Sequence, residues 1–457
     1  MKKILALVLA CIMVFALCAC AKTAEPEESK TPAAEETKAE TSAEEAKTDA
    51  PVEKTKLKVM IWGSIDGRDE REKEWLAMNP EFAEKYEIEY ILGGQSDKDC
   101  MEKIRLALAS GENLCDIIIL NYTQVPELAR AGALMDIGDY YKPYEDQITE
   151  AGKQLSQYDG KYIAVPSEIK TRIWFYRQDI FDECGVDVNT IKTTDDFIAA
   201  GKKIQETYPD AMMFNLGAQA QGYDFYLTLS GNGATYFDAD GNYTIGSDPG
   251  VKACLEDYKK MVDAGIVADL SDWTPDWEAA LADGTIVSVP SAAWMGNKTF
   301  LPTYSADNVG KWACTTWPAI GGSTGGSDAG GQIWAVPAFS SNPEAAAEYI
   351  CWKWLSEEAE LKTFEIFGTI TGMSNKNALA NEMILNTPNE FFGTSLVEAQ
   401  IAAADQFGIF NYSPNATAEQ TIALEYFIKA VYGEMGIDEA MQAAEKDMKD
   451  QIGNAFN

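Results

Sequence analysis

The chain contains no histidine. That removes Ser-His-Asp and Cys-His nucleophilic catalysis, and most zinc sites. It is also short of cations: 37 Lys and Arg stand against 72 Asp and Glu, a formal net charge of −35. Such a balance argues against nucleic acid or an anionic membrane surface as partner. Long apolar runs are scarce too. Residues 4–15 are unbroken and apolar, yet shorter than the roughly 20 residues a bilayer span needs, and no second segment reaches that length. Downstream of residue 20 there is no C-x-x-C pair. Cys100, Cys115, Cys184, Cys254, Cys314 and Cys351 are scattered, which leaves two readings open, disulfides or buried free thiols; the apolar and helical settings of Cys254 and Cys351 favour thiols. The glycine-rich "GGSTGGSDAGG" lacks the Gly-Lys-Ser/Thr of a phosphate-binding loop. "DADGNYTIG" matches only the first half of a calcium loop and reads as a hairpin turn. Nothing here calls for a metal or a cofactor.

What is present begins at the front. Lys2 and Lys3 precede the apolar run, which has the length of a signal-peptide core. "LCAC" places a small residue just before Cys20, and the stretch resembles a bacterial lipobox. Residues 1–19 are therefore expected to be a signal peptide, with Cys20 lipidated at the mature N-terminus; two acyl chains give stable anchoring where one does not. Residues 20–55 follow as a tether. From residue 21 it has no aromatic residue, no Leu and no Ile, and cannot bury enough apolar surface to offset the entropy of ordering. Coil statistics give it a reach of roughly 30–35 Å. It holds ten carboxylates and five lysines, so most of the negative charge covers the remaining part, about 400 residues, enough for two or three lobes.

From Leu57 the pattern is regular. "LKVMIW", "EIEYIL" and the wholly apolar "DIIIL" read as strands, the last of the kind buried on both faces. Between them lie helices: "DEREKEWLAMNPEFAEKY", interrupted before Pro80, and "SDKDCMEKIRLALASG", capped by Ser96 and stopped at Gly111. Alternation of strand and helix predicts a βαβ array with a mainly parallel sheet. The middle of the chain is richer in helix, with a cap at "TTDDF" and the amphipathic "DPGVKACLEDYKKMVDAG". "NPEAAAEYICWKWLSEEAE" is a strong helix capped by Asn342, on which Trp352 and Trp354 read as packing residues.

Three stretches, "CDIIILNYTQVPELARAGALMDI", "YDGKYIAVPSEIKTRIWFYRQDIFDECGVD" followed by "TTDDFIAAGKKI", and "DAGGQIWAVPAFSSNPEAAAEYICWKWL", taken in this order and with the lipobox, resemble the extracellular solute-binding proteins, family 1, of ABC importers, which mostly carry sugars. The likeness covers nearly all of residues 57–370. It implies a type II periplasmic-binding-protein fold: two α/β lobes closing over an interlobe cleft, with hinge strands crossing between them. Residues 57–165 and 318–362 are expected in the first lobe, and 168–314 and 365–457 in the second. The crossings fall near Pro166, near Trp317-Pro318 and around Gly368.

Ligands of parallel α/β sheets bind beyond the C-terminal ends of strands. That places Trp62, Ser64 and Asp66 after the first strand, and Asn121 and Tyr122 after "DIIIL", facing the other lobe. The second lobe would contribute Glu168, Arg172, Tyr223 and Trp294. Gln332 stands where the family often has an aromatic residue, and "DGTIVSVPSAAW" departs from the family pattern before the tryptophan. Aromatic faces suit the C–H patches of a sugar, and charged or amide groups suit its hydroxyls. The resemblance implies a monomeric, non-enzymatic receptor on the outer face of the cell membrane, delivering a sugar or oligosaccharide to its permease without a cofactor. A polyamine or other cationic solute would suit the acidic surface, and a secreted glycan-active hydrolase is the reading from another class.

Cys20→Ala is expected to leave unprocessed precursor or to release the protein into the medium. Mass spectrometry of the mature chain checks this, and an unmodified mature start elsewhere would overturn the anchor.

Overall fold

The computed structural model describes residues 54–456, apart from 218–222, 297–299, 324–326, 328–330, 369, 371–373, 405–407 and 409. The leader, Cys20 and almost all of the tether lie outside the described residues. Among the described residues, eight strands form the two main sheets: β1 Thr55–Trp62, β2 Tyr86–Gly94, β3 Ile117–Asn121, β4 Val165–Pro166, β5 Arg172–Arg177, β6 Ser288–Ala292, β7 Trp312–Thr315 and β8 Gln332–Ala335.

The first sheet has the order β2-β1-β3-β8-β4. β1 runs parallel to β2 and β3. β8 returns antiparallel between β3 and β4, so the sheet is mixed rather than wholly parallel. Both faces are buried, and the period of two sorts the side chains. Leu57, Val59, Ile61, Ile117 and Ile119 enter one apolar layer with the helix Pro343–Leu355. Met60, Ile118, Leu120 and Ile333 enter the opposite layer, with Cys100, Met101 and Ile104 of the helix Asp97–Ser110. That helix opens with the expected cap: Ser96 Oγ accepts from the Asp99 N–H, and Asp99 reciprocates.

The second sheet, β6-β5-β7, is antiparallel. Every residue of β5 is buried. Trp174 and Tyr176 face a large helical core built with Thr194–Thr207, Pro249–Asp263, Ala416–Val431 and Ile437–Gln451, while Ile173 and Phe175 face a second apolar layer. The more helical second lobe is thus as expected. "DADGNYTIG" is a turn: Asp238 Oδ1 accepts from the N–H groups of Asp240 and Asn242, and Phe237 bridges antiparallel to Tyr243.

Three expectations are corrected. Residues 318–323 stay with the second lobe, because Ile320 enters its core and the Gly321 N–H donates to Asp257 Oδ2 at 2.7 Å. The chain does not leave the first lobe around Gly368, which is a left-handed helix stop at φ 70°. The buried Glu360 carboxylate instead captures the N–H groups of Ser374 and Asn375, and Asn375 Nδ2 donates to the Leu355 carbonyl. Ile370 touches the second lobe in passing, its carbonyl accepting from Gln400 Nε2 at 2.7 Å, and Phe391 and Phe392 then enter that lobe's second apolar layer. Asn342 stands at its helix N-cap without capping through its side chain, since Nδ2 donates to Asp116 Oδ1. The six cysteines downstream of residue 20 are free thiols, five of them buried.

One ion pair is sealed inside the first lobe. Lys353 Nζ lies 2.5 Å from Glu72 Oε2, and Tyr90 and Tyr349 donate to the same carboxylate. Rings of Trp75, Trp334 and Trp354 surround the ammonium, with its nitrogen 4.0 Å from the Trp75 centroid. Burial pushes the Lys353 pKa down against the pull of Glu72. Removing one member leaves a buried charge alone, so Lys353→Met should cost about 3–5 kcal/mol of unfolding free energy. The double variant Glu72→Leu/Lys353→Met should cost distinctly less. Urea unfolding of the three proteins checks the order; equal losses for single and double variants would contradict it.

Candidate functional site

Between the sheets lies a cleft of about 1260 Å³. Its first-lobe wall is polar. The capped N-terminus of Asp97–Ser110 brings Ser96, Asp97 and Lys98, and the end of β3 brings Asn121, Tyr122 and Thr123. These side chains are pre-set: Asp97 Oδ2 accepts from Asn121 Nδ2 at 2.8 Å and from Gln124 Nε2 at 2.9 Å. The Tyr122 hydroxyl donates to the Glu168 carbonyl. Gly331 completes the wall by having no side chain, since a Cβ there would meet the Glu168 carbonyl at 2.3 Å and the Tyr122 ring at 2.6 Å.

The second-lobe wall is aromatic and acidic. Trp273 and Trp294 line it with centroids 5.5 Å apart, and Trp277 lies 5.0 Å from Trp273. Asp224 and Asp272 lie on the same wall, joined by Gln420, Thr421 and Lys429 from the helix Ala416–Val431. Asp272 is fixed by Asn215 Nδ2 at 2.6 Å. Among the described residues Asp224 Oδ1 has no hydrogen-bond donor; its charge partner is Arg172, with Nη2 at 3.8 Å. Burial pushes the Asp224 carboxyl up to about 7, with Arg172 opposing and Asp272 adding to the rise.

The structure brings Asn121, Tyr122 and Trp294 together on the cleft, from opposite lobes. It places Arg172 elsewhere. That side chain is fully buried, donates to Thr228 and Tyr258, and lies 4.3 Å from the Trp317 ring centre. It backs Asp224 from inside the lobe and does not face solute. Glu168 reaches the site only through its carbonyl; its carboxylate pairs with Lys170, which does line the cleft. Trp62 is half-buried against both core layers of the first lobe. Ser64 and Asp66 are not on the cleft wall: the Ser64 hydroxyl takes the Asp66 N–H and its carbonyl takes Arg68 Nε. Gln332 is held in β8, opposite Asn121, one residue beyond the lining Gly331. Tyr223 begins the helix Tyr223–Asn232, and its side chain lies outside the described residues. Sequence reasoning missed Asp97, Lys98, Asp224, Asp272, Trp273 and the helix Ala416–Val431. Asp224 sits beside the singled-out Tyr223, and Trp273 just precedes a Thr-Pro helix start, which were the available signals.

Two α/β lobes, each with a doubly covered sheet, enclosing a cleft and joined by short crossings, define a solute-receptor architecture. Residues 77–392 match the family described as bacterial extracellular solute-binding protein, and the chain belongs to it. It is 25% identical over 332 residues to the arabinooligosaccharide-binding protein of Halalkalibacterium halodurans, spanning 69% of this chain and 72% of that one. It is likewise 25% identical over 377 residues to the lactose-binding protein of Rhizobium radiobacter, spanning 78% and 83%. Among solved structures, an ABC-transporter-associated binding protein of B. animalis subsp. lactis, in complex with β-1,6-galactobiose, superimposes with a TM-score of 0.70 at 23% identity. That match covers 89% of this chain and all of the other. The galacto-N-biose-/lacto-N-biose I-binding protein of Bifidobacterium longum gives 0.70 at 21%, covering 88% and 99%. These structures share the two-lobed fold.

A solute whose hydroxyls donate to Asp224 binds the ionised carboxylate. The bound pKa then falls below the free value of about 7, so affinity rises as pH increases through that value. Asp224→Asn is expected to flatten the profile. Calorimetric titrations in buffers of different ionisation enthalpy should show proton release near neutrality; a pH-independent affinity in the unaltered protein would count against this role for Asp224.

Proposed function

We propose that this chain captures a sugar or short oligosaccharide outside the cell and delivers it to an ABC permease, acting as a monomer tethered to the membrane through lipidated Cys20. The observation that carries the reading is the pairing of unlike walls. An indole ledge at Trp273 and Trp294 suits the C–H face of a pyranose, and the fixed polar groups at Asp97, Asn121 and Asp224 suit its hydroxyl rim. A cleft of about 1260 Å³ has room for more than a single small ring. The relatives named for arabinooligosaccharide and lactose binding support the same class. Solute held by both walls favours the closed arrangement over the open one in proportion to its differential affinity, which is how capture becomes a signal to the permease. No covalent step is required of any residue in this scheme.

Titration calorimetry and thermal unfolding with lactose, diacetylchitobiose, an arabinooligosaccharide and, as the cationic contrast, spermidine test the reading. At least one sugar is expected to bind, to come back chemically intact, to add roughly 2.7 kcal/mol of stability at 100 times its Kd, and to shrink the radius of gyration in solution scattering. Binding of spermidine alone would replace the sugar with a cation. Release of shortened glycan would replace the receptor with a hydrolase.

A further inference from the structure

Trp273 combines a costly backbone conformation with a side chain that stays partly exposed. Its φ is +64°, in the left-handed region that a bulky L-residue rarely adopts. Among the described residues only one other non-glycine shares a positive φ, Asp159, and it sits in a tight turn between the short strands Gln157–Tyr158 and Lys161–Tyr162, where Asp is at home. Trp273 is 44% exposed, so its indole is not held by a core.

Its surroundings explain how the conformation is enforced. Asn215 clamps the preceding residues with three hydrogen bonds: Nδ2 donates to the Leu270 carbonyl and to Asp272 Oδ1, and Oδ1 accepts the Leu270 N–H. The following residue is pinned as well. Thr274 donates to the Ser271 carbonyl and caps the helix Pro275–Asp283 by accepting the Trp277 N–H. With both flanks fixed, the turn at Trp273 takes up the mismatch. The result is a ring on the cleft lining, in contact with Trp277, Trp294 and Phe300. Strain that persists because its surroundings over-determine it is characteristic of ligand-contacting residues.

We infer that Trp273 is the principal apolar contact for the bound solute, a strained platform whose exposed indole face packs on the C–H face of a pyranose ring. This rests on the sugar reading above. Trp294, on the same ledge, is its neighbouring ring, with centroids 5.5 Å apart.

Four proteins compared for calorimetric affinity and ligand-free thermal unfolding test the assignment: unaltered, Trp273→Ala, Trp273→Gly and Trp273→Tyr, titrated with lactose, diacetylchitobiose and an arabinooligosaccharide. Ala and Gly are each expected to weaken the sugar that binds by roughly 10- to 100-fold, and Tyr, which keeps a ring face, to recover most of that loss. In the ligand-free state the Gly variant should melt above the Ala variant. That reverses the usual order, in which Gly is the less stable, because only Gly relieves the positive φ. Unchanged affinity in both truncations, or a Gly variant melting below Ala, overturns the platform. So does failure of Tyr to recover binding. If the unaltered protein binds none of the three sugars, the sugar reading itself fails and this assignment falls with it; that outcome is read from the first protein alone.

Discussion

Residues 167–171 are all that separates β4, in the first sheet, from β5, in the second. The N–H groups of Ser167 and Glu168 both donate to the carbonyl of Gln332, at the start of the returning strand β8, and the Arg172 N–H donates to the Ser327 carbonyl on the same return path. Two crossings running in opposite directions are therefore laced together by main-chain hydrogen bonds. Everything in the cleft depends on this lacing. It sets how far apart two independently cored lobes stand, and it brings the Tyr122 hydroxyl against the Glu168 carbonyl beside Gly331, where no other side chain fits. Short connections of this kind, at the ends of strands, are where hinged lobes take up a change of φ and ψ.

Each lobe solves the problem of a doubly buried sheet by the same rule, with alternate residues feeding opposite layers. That rule is why much of the fold was legible. "DIIIL" could only be a strand covered on both faces, and Ser96, Gly111 and Thr193 mark helix ends by chemistry that acts over three or four residues. The later crossings were less legible because long-range capture decides them. Nothing in the tail announces that Glu360 will hold Ser374 and Asn375, or that Asp257 will hold Gly321.

The site divides in the same way. Asn121 and Tyr122 follow a recognisable strand end, and Trp294 follows an apolar run closed by small residues, so all three could be placed. Arg172 was misplaced because a cation just after a hinge looks like a ligand-facing group, whereas β5 is buried along its whole length and its first residue points into the helical core. A charge at that depth is tolerated because Thr228, Tyr258, the Trp317 face and Asp224 share it. Asp224 is the cleft carboxyl that Arg172 supports from within. Trp273 escaped notice for a different reason: a positive φ at a tryptophan leaves no mark in composition or periodicity.

The unlike walls also differ in how exacting they are. Apolar contact is non-directional and tolerates an approximate pose, whereas the hydrogen-bonded first-lobe wall demands registry. The indole ledge and the hydrogen-bonded wall thus belong to separately packed cores, so either surface can change without repacking the other.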